Sequence, residues 1–170
     1  MSDLFDNKNS GADFSPCGKY RFALWRIWDE SKPFVMFIGL NPSTANETFN
    51  DPTIKSVIRL SKFNGFGGVY MMNCFPLVST NPDILKDFWQ SGNPFIQNQD
   101  TINRNKLKEM ATKCIAVVFA WGSFKVVKEV KRDKELMQMF PNAMALFINK
   151  NGSPKHPLYC KSETTFIKFT

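Results

Sequence analysis

Four short, predominantly apolar runs recur along the chain, at residues 34–40, 69–75, 115–121 and 143–148. Apolar character without alternation is the mark of a strand buried on both faces. Helical patterns lie between the runs. Asp51-Pro52 reads as a helix start, with Asp as N-cap and Pro in the first turn. Ile54, Val57 and Ile58 give that helix an apolar stripe, and Gly65, Gly67 and Gly68 end it. Asn81-Pro82-Asp83 opens a short helix, and Ser91-Gly92-Asn93-Pro94 breaks it. Residues 98–113 form a polar helix and residues 124–140 a further one, stopped by Pro141-Asn142.

Buried strands alternating with helices predict a mainly parallel sheet covered on both faces. The expected fold is α/β, a three-layer α/β/α sandwich with a four-stranded, mainly parallel sheet. Residues 20–28 are aromatic and β-prone, and the turn at residues 29–33 places them to pair with the first apolar run as an N-terminal hairpin. Residues 164–169 are read as an edge strand or irregular chain. Residues 1–18 are polar and read as a flexible arm, leaving residues 19–170 as a single domain.

Composition narrows the function classes. With 17 Phe and 4 Trp, the 170-residue chain has ample area to bury, so most of it is not disordered. No apolar run is long enough to span a bilayer, and no charged start followed by an apolar stretch marks a signal peptide. No membrane association is expected, and the expected location is the cytoplasm. The net charge of +7 fits an anionic partner, nucleic acid or nucleotide, as well as a merely soluble basic surface. Cys17, Cys74, Cys114 and Cys160 form no CxxC pair, and His156 is the single histidine. No metal or other cofactor is expected.

In sheets of this kind ligands bind beyond the carboxyl ends of the strands. Gly39, Asn41, Pro42, Ser43 and Thr44 follow the first run, and Asn73 and Phe75 close the second. Trp121, Gly122 and Ser123 follow the third, and His156 and Leu158 lie beyond the fourth. Each also has a plain structural role: a rigid turn for Asn41-Pro42, loop hydrogen bonds for Asn73, a helix cap for Ser123. Asp51 is a candidate general base as well as a cap. His156, held between Pro154 and Pro157, is read as functional, a donor to a developing oxyanion. Lys125, Lys128, Lys131, Arg132 and Lys134 make either a solvated helix face or a phosphate-contacting one.

Several segments resemble known families. Val35-Met36-Phe37-Ile38-Gly39-Leu40-Asn41-Pro42-Ser43, Met72-Asn73, Val117 to Gly122 and His156-Pro157-Leu158 resemble, in order, motifs of the uracil-DNA glycosylase superfamily. A narrower set resembles the domain-of-unknown-function family numbered 1643. It comprises Tyr20-Arg21-Phe22 with Leu24 to Trp28, Leu40 to Ala45, Asp51 to Ile54, Trp121-Gly122 and Gly152 to Tyr159.

The glycosylase resemblance implies that Asn41 positions the attacking water, Asn73 reads the base edge, and His156 stabilises the departing base. It implies that Leu158 corresponds to the residue wedged into a duplex as a base flips. Phe49 or Phe75 is a candidate for stacking on the base. Two departures bear on this. The most active glycosylases carry Asp where Asn41 stands, and Leu158-Tyr159 replaces the Ser-Pro of their His-Pro motif. The expectation is a base- or nucleotide-binding protein that hydrolyses an N-glycosidic bond. The alternatives are a non-catalytic nucleic-acid or nucleotide module, and a hydrolase or transferase on a small modified nucleotide.

Overall fold

The computed structural model describes residues 9–170. One seven-stranded sheet runs through it, in the order β1-β2-β4-β3-β5-β6-β7. The strands are β1 (Ser10–Phe14), β2 (Arg21–Ile27), β3 (Phe34–Gly39), β4 (Gly68–Asn73), β5 (Ala116–Phe119), β6 (Met144–Ala145) and β7 (Ile167–Lys168). The helices are α1 (Pro52–Phe63), α2 (Leu85–Gln90), α3 (Pro94–Ala111), α4 (Lys125–Glu129) and α5 (Arg132–Met139). Single 3-10 turns occur at Pro82–Ile84 and Pro157–Tyr159.

The four apolar runs supply β3, β4, β5 and β6, which pair in parallel in the order β4-β3-β5-β6. The expected four strands are thus part of a larger mixed sheet. Antiparallel β2 and β1 extend it on one side and antiparallel β7 on the other. β4 is buried along its whole length, as an interior strand with both faces covered must be. The connection from β3 to β4 runs one way along the sheet, and those through β5 to β6 run the other. This places a topological switch between β3 and β5, where ligands bind in open α/β sheets.

Helices cover both faces. On one, Leu85 of α2, Leu107 and Met110 of α3, Val126 and Val127 of α4 and Leu136 of α5 pack with Met36, Ile38 and Met72 of the sheet. On the other, Ile54, Val57, Ile58 and Leu60 of α1 pack against Val35, Phe37 and Val69, with Phe166 of the C-terminal segment beside them. Each such side chain contributes about 1.5–3 kcal/mol on burial. Asn64 at the end of α1 donates to the Thr164 carbonyl at 2.9 Å, fastening the C-terminal segment to this face.

Several expectations are corrected. Residues 20–28 and 34–40 do not form a hairpin, because β4 lies between β2 and β3. The turn after β2 instead crosses the start of β4, where the Trp28 and Asp29 amides both donate to the Gly67 carbonyl at 2.9 Å. A Cβ on Gly67 would sit 1.9 Å from the Asp29 carbonyl oxygen, so only glycine permits the crossing. Residues 10–14 of the expected arm form β1, paired with β2; residues 1–8 lie outside the described residues. The helix expected over 124–140 is two helices, broken where Lys131 takes a φ of 59°. The helix expected from residue 98 begins at Pro94, because Asn93 caps it by accepting from the Phe95 amide at 2.9 Å.

The lysine-rich segment is also divided in character. Lys125, Lys128, Lys131 and Lys134 are exposed, but Arg132 is buried and pairs with Asp100 at 2.6 Å. Cys74 is buried and its thiol pKa is pushed upward by desolvation; Cys114, half-buried, is pushed up to about 12 for the same reason. No helix among the described residues is long and apolar enough to cross a membrane.

Candidate functional site

At the carboxyl ends of β3 and β4 lies a cavity of about 170 Å³. Its size falls below the roughly 300–1,000 Å³ of pockets for drug-sized ligands, so it suits a single small ring system. Gly39, Asn41, Ser43, Asn73 and His156, expected from their position at or after the strand ends, line it together with Asp51 at the start of α1. Arg21, Thr53, Ser79, Thr80 and Phe124 line it as well.

The loop between β3 and α1 is held by the two buried arginines of β2. Arg21 donates to the Ala45 carbonyl at 3.0 Å. Arg26 donates to the Asn46 carbonyl at 2.5 Å and to Asn50 at 2.8 Å. Arg21 also donates from Nη2 to Asn73 Oδ1 at 3.3 Å, and its buried Nε has no hydrogen-bond partner among the described residues. Burial pushes its pKa down to about 10, against an opposing pull from Asp51, so the guanidinium stays charged at neutral pH. Arg21 is the principal residue that sequence reasoning missed. Its signal is a pair of cations, Arg21 and Arg26, in a strand whose other residues are apolar.

Three polar groups reach the cavity with their polarity already set. Asn41 shares its two Nδ2 hydrogens among the carbonyls of Pro42, Leu77 and Ser79, at 3.1, 3.1 and 2.9 Å. Its Oδ1 accepts from no group among the described residues. In Asn73 the arrangement is reversed: Oδ1 is engaged by Arg21, and Nδ2 remains to donate. The Asn73 main-chain carbonyl also accepts from the fully buried Asn103 at 3.0 Å, which steadies the strand end. His156 accepts at Nδ1 from the Leu158 amide at 3.2 Å. The neutral ring therefore carries its proton on Nε2, leaving a donor. Burial lowers the His156 pKa, against an opposing pull from Asp51, so the ring is neutral at pH 7.

Asp51 serves two purposes. Its Oδ1 accepts from the Ile54 amide at 2.9 Å, capping α1, and its side chain lines the cavity while only 7 % exposed. Gly39 provides the clearance that Asn73 needs. A Cβ there would meet Met71 Cε at 2.7 Å and Asn73 Nδ2 at 3.1 Å.

Other expected site residues lie elsewhere. Gly122 and Ser123 line an adjoining pocket, which shares Phe124 and His156 with the cavity. Pro42 is buried beneath its loop and Thr44 is exposed beside it. Trp121 is a core residue packed against Phe119, with ring centroids 4.7 Å apart and the rings tilted by 39°. Phe75 is fully buried, with the Arg132 guanidinium 5.4 Å from its ring centre, and it faces a different pocket. Leu158 is half-exposed and Phe49 exposed, and neither lines the cavity. Among the described residues no three His, Cys, Asp or Glu side chains cluster in a way that would hold a metal ion.

The chain belongs to the family described as protein of unknown function (DUF1643), whose model matches residues 21–158. The matched stretch runs from Arg21 of β2 past His156 and so takes in the whole cavity lining. Comparison with curated proteins and with solved structures returned no match.

Proposed function

We propose that the cavity holds a nucleobase, and that the protein is a base- or nucleotide-binding protein that hydrolyses an N-glycosidic bond. The observation that carries this reading is the fixed polarity of three side chains on one small cavity. Asn73 offers an amide donor and His156 an Nε2–H toward the base, and Asn41 offers a carbonyl oxygen toward a water. A heterocyclic base presents complementary acceptors around its edge. The sheet with helices on both faces supports the further reading of a uracil-DNA-glycosylase-like α/β/α sandwich.

The chemistry follows from these placements. A water accepted by Asn41 Oδ1 attacks the anomeric carbon of the sugar. The carbon–oxygen bond forms as the carbon–nitrogen bond breaks, and the electron pair leaves with the base. His156 Nε2–H and the nearby Arg21 charge stabilise the negative charge on the departing base. The water proton passes to the Asp51 carboxylate, which then returns it to the base. Asp51 also opposes the positive charge that develops on the sugar.

One observation favours a second reading, a module of the same fold that binds without chemistry. The water-holding position carries a neutral amide, which contributes no charge to the transition state.

Release of free base separates the two. Nucleosides and oligonucleotides carrying a panel of normal, deaminated and alkylated bases are incubated with the protein, and released base is measured by mass spectrometry. Hydrolysis predicts release that falls about 10²- to 10³-fold in Asn41→Ala and His156→Ala, as for the loss of a positioned hydrogen-bonding group in the transition state. Binding without release in every case establishes the second reading. Neither binding nor release contradicts both.

A further inference from the structure

A second pocket, of about 310 Å³, opens beside the cavity and shares Phe124 and His156 with it as a common wall. Gly122, Ser123, Asn149, Lys155 and Tyr159 complete its lining. The two pockets together span the ends of β3, β4 and β5, across the switch point of the sheet.

Two aromatic rings stand in the open there. Tyr159 is 75 % exposed and Phe124 is 41 % exposed. The Tyr159 ring centroid lies 5.9 Å from that of His156, and the Tyr159 amide N–H donates to the His156 carbonyl at 3.1 Å within the 3-10 turn. Both rings line the same pocket, where their exposed faces are available to stack on a flat ligand. The polar floor is also built. Asn149 donates to Ser123 Oγ at 3.1 Å and to Ser153 Oγ at 3.0 Å.

Charge identifies the ligand. Residues 136–162 carry Lys150, Lys155 and Lys161 and no acidic residue. Lys125 and Lys128 of α4 add to them from the neighbouring edge, where Lys128 donates to the Asn151 carbonyl of the loop that carries Ser153. Rings for stacking within a basic rim match the chemistry of single-stranded nucleic acid, whose bases stack on aromatics while lysines follow the backbone.

We propose that this second pocket takes the nucleotide next to the one in the cavity, so that the substrate is a single-stranded nucleic acid rather than a free nucleotide. The proposal rests on the base-binding reading of the cavity. The neighbouring base stacks on Tyr159 and Phe124. The phosphate between the two nucleotides meets Lys155. A duplex does not fit this arrangement, because its bases are stacked on one another and unavailable to the rings.

Fluorescence anisotropy with mixed-sequence single-stranded DNA and RNA 10-mers, the corresponding duplexes, and a panel of mononucleotides tests this. The single strands are expected to bind more tightly than either duplexes or mononucleotides. Tyr159→Ala, at an exposed position, is expected to weaken single-strand binding about 5- to 150-fold, the range for loss of one stacked base. Mononucleotide binding is expected to stay unchanged in this variant. Lys155→Gln is expected to lower the salt slope of strand binding by roughly 0.7.

Mononucleotides that bind as tightly as strands, with no effect of Tyr159→Ala, overturn this proposal and leave the cavity reading intact. So do duplexes that bind as tightly as strands. Strand binding that depends on Tyr159 but not on Asn73 supports the stacking surface and overturns the cavity reading. No binding by any probe overturns both.

Discussion

Arg21, on an antiparallel strand next to β4, donates to Asn73 at the end of that strand, at 3.3 Å. Both side chains are buried, at 3 % exposure each. The contact fixes which end of the Asn73 amide faces the cavity. Without Arg21 the amide is free to turn over and present its oxygen, and the cavity loses a positive charge beside Asp51. Arg21→Met keeps the apolar length of the side chain but removes its donors. It is expected to cost about 1–3 kcal/mol in urea unfolding, because Asn73 Oδ1 and the Ala45 carbonyl lose their partner in the interior. Base binding is expected to fall as well. Unchanged stability would show that the arginine is not holding these groups.

Asp51 combines a helix cap with a charge in the cavity, and two substitutions separate the roles. Asp51→Ala removes both and is expected to cost about 0.5–2 kcal/mol of stability, the usual range for an N-cap. Asp51→Asn retains a cap oxygen and is expected to unfold close to the parent. Both variants are expected to lose base release, since both lack the carboxylate. Base release by Asp51→Asn at the parent rate would remove Asp51 from the proposed chemistry.

Gly39 is where strand and site meet. In Gly39→Ala the new methyl group lies 3.1 Å from Asn73 Nδ2 and 2.7 Å from Met71 Cε. The Met71 end is flexible and moves aside, but Asn73 is held by Arg21 and is displaced against that bond. The expected result is a loss of about 1–3 kcal/mol, as for other overpacked interiors, and weaker binding. A variant with parent stability and parent binding would contradict the close approach of these two residues.

His156 gives a pH dependence whose sign follows from burial. Its pKa in the folded protein lies below the ordinary 6.5, mainly through desolvation. As pH falls, the unfolded chain takes up this proton before the folded one does. The contribution of His156 to stability is therefore full above about pH 6.5 and is lost as pH falls through the folded pKa. Since the chain has a single histidine, imidazole NMR reports it without ambiguity. The expected spectrum is the Nε2–H tautomer at pH 7 with a midpoint below 6.5. A midpoint above 6.5 would mean that Asp51 outweighs desolvation.

The central sheet was legible because predominantly apolar runs have few other uses in a chain of this size. Strand pairing was less so. Which strand lies beside β2 depends on contacts far apart in sequence, and the crossing at Gly67 leaves only a glycine as its trace. β1 was missed because Ser10-Gly11-Ala12-Asp13 is polar and short, as an edge strand often is. For the site, the rule that ligands lie beyond the strand ends pointed to Asn41, Asn73 and His156, which line one cavity together with the separately considered Asp51. Trp121 and Phe75, named by the same rule, lie buried away from the cavity, since an aromatic at a strand end looks the same whether it faces a ligand or the core. The rule passed over Arg21, which stands at the start of an antiparallel strand and reaches the same edge from the opposite chain direction.

The most direct test of base binding in the cavity is a heteronuclear NMR titration of the protein with free bases and nucleotides. Binding in the cavity predicts saturable shifts centred on the side chains of Asn41 and Asn73 and on His156, with one class of base producing them. The same titration in Arg21→Met should show those shifts weakened. No shifts at these three residues with any base, together with shifts along the Lys125–Lys134 face on adding DNA, would contradict it.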